Sequence, residues 1–171
     1  MNLRRPLILG TVAAALVTSA ALPASAADTT TTFALTGGSL SVSAPTTATL
    51  SSAASGSTTI SGSLGSQSVT DARGGVADWT VSATSTAFTG ALTSPSVSTA
   101  VSHSRGAATT SGTVTVSASA PVTMTEVAAS VAVGSAVSGN NTAAFSPTLT
   151  VTMPASAKAD TYTGTVVTSI A

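Results

Sequence analysis

Apolar residues recur at every second position over several short stretches of the chain, with Ser or Thr between them. Residues 79–83 read WTVSA and residues 149–153 read LTVTM, so one face of each stretch is apolar and the other carries hydroxyls. This alternation, interrupted by Gly, Pro and Ser, predicts an all-β fold. We expect an antiparallel β-sandwich of the Ig-like or Greek-key type. Further strands are expected around residues 60–64, 97–101, 114–118 and 162–170.

The segment EVAASVAVGSAV, residues 126–137, is compatible with a helix or a strand. Its apolar residues at positions 127, 129, 131 and 133 follow a period of two. We therefore favour a strand here as well.

The sequence FALTGGSLSV, which begins at Phe33, predicts a β-hairpin. Its glycine pair at 37–38 can take the positive φ angles of a two-residue turn. Counting outward from that turn places Leu35 opposite Leu40 and Phe33 opposite Val42. These apolar side chains would then share one face of the hairpin.

The N-terminal sequence MNLRRPLILG predicts a secretory signal peptide. A basic start is followed by an apolar run over residues 7–17 and by the small residues Ala-Ser-Ala at 24–26. We expect residues 1–26 to be a removable signal helix and residues 27–171 to form one secreted, extracellular β-sandwich domain. No later apolar segment reaches the about 20 residues of a membrane span, so none is expected in the mature chain.

The composition argues against several classes of function. Only five Lys and Arg are present, balanced by five Asp and Glu, so we expect no nucleic-acid partner. The chain has no Cys and one His, which leaves no usual zinc set, and we expect neither a metal nor a cofactor. That histidine, His103, lies in VSHSRG without a recognisable triad, and we expect it at a solvated strand end or turn.

The stretch TDARGGVADWTVSATSTAFTG concentrates charge and contains the only Trp of the chain. In a strand, Asp71 and Arg73 point to the same side, and the glycines at 74–75 then allow a sharp turn. Arg73 held by Asp71, by Asp78 or by both would close this corner, with Trp79 in the core below it. The alternative is an exposed Trp79 that stacks on a sugar. The alternation of residues 79–83 favours the core position.

A second corner is predicted in MPASAKADTYTGT. Pro154 follows one expected strand, and Asp160 lies two residues before Tyr162, which begins the next. This arrangement is typical of a tyrosine corner, in which the hydroxyl bonds to upstream backbone.

The chain resembles the WxL-domain cell-surface proteins of Gram-positive bacteria, and within them the small, secreted, single-domain form of actinobacteria. The segments that carry the resemblance are TTFALTGGSLSVSAP, the Trp-containing stretch quoted above, and FSPTLTVTMPASAKADTYTGTVVTSIA. The first Trp-x-Leu motif corresponds to residues 79–81, with Val at the Leu position. The second motif is degenerate and reads Thr-Ser-Ile at residues 168–170, and Phe145 occupies a position that is often Trp.

The resemblance implies a non-enzymatic domain that associates non-covalently with cell-wall peptidoglycan or an associated polymer. Other surface proteins are further candidate partners. The family motif, which we interpret as mainly structural, comprises Asp71, Arg73, Gly74, Trp79, Val81, Tyr162 and Gly164.

The aromatic residues suggest where a ligand could bind. Trp79 and Tyr162 already have core or corner positions, whereas Phe88 and Phe145 are expected at strand ends and partly exposed. We therefore expect a weak, hydroxyl-lined site with Phe145 or Phe88 at its edge. Two other functions stay open: a self-assembling extracellular matrix protein, and a hydrolase of wall polymers that uses His103.

Overall fold

The computed structural model describes residues 28–91, 100–117 and 120–171. The expected signal helix of residues 1–26 lies outside these ranges. The described residues contain twelve strands and no helix. The strands are β1 Leu40–Ser43, β2 Thr59–Ser63, β3 Gln67–Asp71, β4 Trp79–Ser85, β5 Thr89–Gly90, β6 Ala100–Ser104, β7 Ala108–Val116, β8 Val122–Met124, β9 Ala129–Phe145, β10 Thr148–Thr152, β11 Tyr162–Thr163 and β12 Val166–Ile170.

Two antiparallel sheets enclose one hydrophobic core, which confirms the predicted all-β sandwich. The first sheet has the order β1-β3-β9-β4-β12, with β7 also paired to β9, and the second has the order β2-β10-β6-β8. A short β11–β5 pair lies apart from both. Both main sheets contribute buried side chains to the same core cluster, among them Val69, Trp79 and Phe145 from the first and Val101 and Leu149 from the second.

In β4 and β10 the period-two pattern correctly predicted which side chains are buried. In β4, Trp79, Val81 and Ala83 are buried while the residues between them are half-buried. Leu149 and Val151 of β10 are buried in the same way. The strand preference for the ambiguous segment is confirmed for residues 129–137, which form the first half of the 17-residue β9. Residues 126–128 precede the strand, and Val127 is exposed rather than part of the buried face.

Strand β9 organises the first sheet. β7 pairs along one edge of β9, and β3 and β4 pair with two separate parts of its other edge. β3 pairs as far as Asn141 and β4 pairs from Gly134. Between these positions the backbone of β9 takes positive φ at Ala136 and Gly139. The residues that connect β3 to β4 therefore lie beside an irregular part of β9.

The predicted hairpin around the glycine pair is wrong. Phe33 and Leu35 are 93% and 94% exposed and belong to no strand, and Leu40 pairs with Asp71 of β3 instead. The Gly38 N–H donates to the carbonyl of Ala72 at 2.7 Å, and a Cβ on Gly37 would collide with the carbonyl of Arg73. These glycines permit a close approach to a distant segment rather than a local turn.

Candidate functional site

Asp71 and Arg73 form the predicted ion pair at the end of β3. The Arg73 Nε and Nη2 atoms lie 2.9 Å from Asp71 Oδ1 and Oδ2, and the Arg73 backbone N–H donates to Oδ1 at 3.1 Å. Asp71 is only 2% exposed. Hydrogen bonds from the Arg73 guanidinium, above all, lower the pKa of Asp71 from 3.8 to about 2, although burial opposes this shift. The carboxylate is therefore ionised at neutral pH and held in one geometry.

The connection from β3 to β4 is fastened by backbone contacts. Arg73 Nη2 donates to the carbonyls of Ala77 at 2.8 Å and Asp78 at 3.3 Å. Arg73 thus binds one carboxylate, that of Asp71, and meets Asp78 through its backbone. Gly74 has a φ of 69°, as the predicted turn requires, and the Gly75 carbonyl accepts a hydrogen bond from Gly139 N of β9.

Trp79 lies in the core, as the alternation predicted. It is 1% exposed, and its Nε1–H donates to Asn141 Oδ1 at 3.2 Å. The indole lies against Gly134, where a Cβ would overlap the ring. Asn141 Nδ2 in turn donates to Asp71 Oδ2 at 3.3 Å and to the Gly139 carbonyl at 3.3 Å. Trp79, Asn141, Asp71 and Arg73 form one connected network, which we call the corner network.

Sequence reasoning missed Asn141 and Gly134 as members of this region. Asn141 lies 70 residues from Asp71 along the chain and meets it only because β3 pairs with β9. Gly134 lies directly opposite Trp79 in the β4–β9 pair. The only local signal was an Asn in the middle of a strand, which is an uncommon place for that residue.

The tyrosine corner and the last motif glycine are also present. The Tyr162 hydroxyl donates to the Lys158 carbonyl at 2.9 Å, and Tyr162 is half-buried. A Cβ on Gly164 would lie 3.0 Å from three atoms of the Phe88 ring, so this glycine lets the ring pack on backbone. The motif residues, including the fully buried Val81, thus have structural positions.

The expectation that Phe88 and Phe145 are partly exposed is wrong. Phe145 is 3% exposed, and the Arg105 guanidinium lies 5.9 Å from its ring centroid. Phe88 is 8% exposed. Both rings complete the core because β9 continues to Phe145 and because Gly164 leaves room for Phe88. An aromatic ligand edge at the surface is therefore not formed by these two side chains.

The expectation of a solvated His103 is wrong as well. His103 lies within β6 and is 1% exposed, and neither ring nitrogen has a hydrogen-bond partner among the described residues. Burial lowers its pKa below the usual 6.5. Arg105, two residues on, is 3% exposed and donates from Nη2 to the Ser117 carbonyl at 2.7 Å. An enclosed imidazole without a polar partner is not placed to act on a polymer in solvent.

A cleft of about 350 Å³ is lined by residues from both sheets and from the loops between them. The β1–β2 connection contributes residues 44–48 and Leu50. The C-terminal strands and the turn between them contribute residues 163–166, together with Thr168. Leu64, Gln67, Phe88 and Leu149 complete the lining. Phe88 thus contacts the cleft from the core side rather than standing at an exposed edge.

The cleft is neutral, and it combines apolar and hydroxyl groups. None of its described lining residues is ionisable, and five of them are Thr: Thr46, Thr47, Thr163, Thr165 and Thr168. Gln67, the first residue of β3, is 2% exposed, and its Oε1 has no hydrogen-bond partner among the described residues. A small volume lined by apolar surface and a few polar groups is typical of ligand sites.

Comparisons with known proteins do not identify a family for this chain. No family model, no curated protein and no solved structure matches it.

Within residues 28–91, 100–117 and 120–171, no group of three His, Cys, Asp or Glu could hold a metal ion. The same part of the chain contains no helix long and apolar enough to cross a membrane.

Proposed function

We propose that this protein is a secreted, non-catalytic cell-surface domain that binds a cell-wall polymer non-covalently. The observation that carries the proposal is the neutral cleft, where Thr hydroxyls, apolar side chains and the amide of Gln67 come together. Sugars present the matching groups, since their hydroxyls exchange hydrogen bonds and their C–H faces pack on apolar surface. The signal-peptide features of residues 1–26 and the resemblance to WxL domains support an extracellular setting.

Under this proposal the Trp-containing motif holds the fold together and does not contact the wall. Trp79 is almost completely enclosed and makes its polar contact with Asn141. Binding is then weak, because hydroxyl contacts with a ligand replace contacts with water at small net gain.

Sedimentation with purified cell walls tests the proposal. The full-length secreted protein should sediment with intact walls, and walls stripped of secondary polymers show whether peptidoglycan alone suffices. Ala48→Trp should reduce retention at least tenfold, since Ala48 lines the cleft and an indole would fill it. Ala53→Trp is the matched control, because Ala53 is exposed in the same connection and does not line the cleft. No sedimentation of the wild type, or equal loss in both variants, would contradict wall binding through the cleft.

A second candidate function, self-assembly into an extracellular matrix, is favoured by strand β7. This nine-residue strand pairs only with β9 among the described residues and contains no charge and no Pro. Unprotected edges of this kind can pair with another chain. Register shifts around Thr113 interrupt the ladder, which limits such pairing. A concentration-dependent increase in sedimentation coefficient that Thr110→Lys abolishes would support assembly, and a monomer at all concentrations would exclude it.

A further inference from the structure

Gln67 is a polar side chain in a buried position, 2% exposed. It is the first residue of β3, pairs with Phe145 of β9, and shares its buried face with Val69 and Asp71. Its Oε1 atom is enclosed and has no hydrogen-bond partner among the described residues. An unsatisfied buried acceptor destabilises a fold. Folding alone does not explain the amide of Gln67. Because Gln67 also lines the cleft, rotation of the enclosed amide would bring its oxygen within reach of a ligand bound there.

The surroundings of Gln67 specify what that group must be. The cleft lining contains the apolar side chains of Phe88, Leu50, Leu64 and Leu149 as well as Thr hydroxyls. A ligand must therefore bring a hydrogen-bonding group for the amide together with a small apolar group beside it. Rotation of the amide exchanges its two ends, so Gln67 can accept from an N–H or donate to a carbonyl oxygen.

The described part of the cleft lining has no ionisable residue, which bears on the charge of the ligand. A phosphate or carboxylate group in this cleft would lose hydration without gaining a cation, which is unfavourable. Arg73, the described cation nearest to Gln67 in sequence, has its guanidinium engaged by Asp71 and by backbone carbonyls. Lys158 lies five residues before the lining residue Thr163 but is not itself part of the lining. The lining therefore favours a neutral ligand over an anionic, phosphate-bearing wall polymer.

We propose that the cleft binds the acetamido group of an N-acetylated sugar, with the Gln67 amide as its hydrogen-bond partner. The acetamido methyl packs against the apolar lining, and the sugar hydroxyls meet the Thr side chains at the rim. This inference rests on the proposed wall-binding function and names its ligand: the N-acetylated glycan chain rather than the peptide or an anionic polymer.

Three oligosaccharides of equal length test the ligand class. The fully acetylated tetramer of N-acetylglucosamine, here called chitotetraose, should bind in an NMR titration of the full-length protein. Cellotetraose, which carries hydroxyls in place of the acetamido groups, should bind at least tenfold more weakly. The glucosamine tetramer, which is deacetylated chitotetraose, should also bind at least tenfold more weakly. Binding of chitotetraose should change less than twofold between 50 mM and 500 mM NaCl, because no ion pair is formed. Equal binding of chitotetraose and cellotetraose would overturn the acetamido assignment.

Gln67→Leu tests the residue. The substitution keeps most of the volume and removes the unsatisfied acceptor, so the melting temperature should stay equal or rise while chitotetraose affinity falls at least tenfold. Thr163→Val, in the cleft lining, should weaken binding severalfold, and Thr110→Val on β7 is the control that should not. Wild-type affinity in Gln67→Leu would overturn the role of the amide.

Failure of this inference is distinguishable from failure of the proposed function. Wall sedimentation without chitotetraose binding would retain wall association and overturn the acetamido site. Binding of chitotetraose without wall sedimentation would retain the site and overturn wall association. A glycan fragment released from peptidoglycan by a muramidase, added as a second probe, shows which source of N-acetylated sugar is preferred.

Discussion

The two ends of strand β3 each carry a buried polar side chain, but only one of these side chains has its hydrogen-bond acceptors satisfied. Asp71 and Gln67 lie on the same face of β3, both are 2% exposed, and both pair with β9. Asp71 accepts hydrogen bonds from the backbone and side chain of Arg73 and from Asn141. The Oε1 of Gln67 accepts none from the described residues.

This difference separates a region built for stability from one suited to a ligand. Where every buried polar atom has a partner, further binding has no group to satisfy, and removal of any member costs stability. Where a buried acceptor lacks a partner, removal of the polar group costs nothing, and a ligand can supply the missing contact. Burial alone therefore does not show the role of a polar residue.

The largest effect is expected from Trp79→Ala in the corner network. Loss of an enclosed aromatic side chain should lower the free energy of unfolding by about 3–5 kcal/mol. Urea unfolding followed by circular dichroism measures the change. Val76→Ala is the control and should be neutral, because Val76 is 78% exposed in the same connection. A folded Trp79→Ala protein that loses wall binding would place the site at the Trp instead.

The next effect is expected from Asp71→Asn. The substitution keeps the size of the side chain but removes the charge that Arg73 and Asn141 bind, and hydrogen bonds to charged groups contribute about 1.5–3 kcal/mol. Unfolding free energy should fall by about 2 kcal/mol. Chitotetraose affinity should stay unchanged, since Asp71 does not line the cleft. Unaltered stability would show that the ion pair does not fasten the corner.

Stability should also fall in two steps as the pH is lowered. His103 has a folded-state pKa below 6.5, so its contribution is complete above pH 6.5 and is lost as the pH falls toward the folded value. Asp71 has a folded-state pKa of about 2 against 3.8, so its contribution is complete above about pH 4 and is lost toward pH 2. Urea midpoints from pH 8 to pH 2.5 measure both steps.

Two variants assign these steps to their residues. His103→Leu should remove the step below pH 6.5 and leave the acid step, whereas Asp71→Asn should do the reverse. A profile without any change between pH 8 and pH 5 would contradict the enclosed, neutral His103.

The smallest effect is expected from Tyr162→Phe. The hydroxyl bonds to the Lys158 carbonyl at a solvent-exposed position, so its loss should cost about 0.5 kcal/mol. Differential scanning calorimetry can detect the corresponding small decrease in Tm. A decrease as large as that of Asp71→Asn would mean that the tyrosine corner matters as much as the corner network.

The sequence predicts local features of this fold well and its pairings poorly. Alternation identifies the buried faces of β4 and β10, because side-chain direction in a strand depends only on the period of two. Among the described residues, however, no two strands adjacent along the chain pair with each other. The hairpin predicted at the glycine pair 37–38 assumed that neighbouring segments pair. The glycines instead lie against a segment more than thirty residues away.

The candidate site shows the same difference between local features, which the sequence predicts, and long-range contacts, which it does not. The Asp71–Arg73 pair and the buried Trp79 were predictable, since both depend on residues close in sequence. Asn141 was not, because its role arises from the β3–β9 register. Gln67 gives no sequence signal at all, since the enclosure of its unsatisfied atom and its place in the cleft lining both depend on segments distant in the sequence.

The most direct test of the account compares Gln67→Leu with the wild type in two measurements on the same samples. Thermal unfolding should show a Tm that is unchanged or higher, and titration with chitotetraose should show at least a tenfold loss of affinity. That combination separates a ligand-binding amide from a structural one. A lower Tm with full chitotetraose affinity would contradict the account, because Gln67 would then stabilise the fold without contributing to ligand binding.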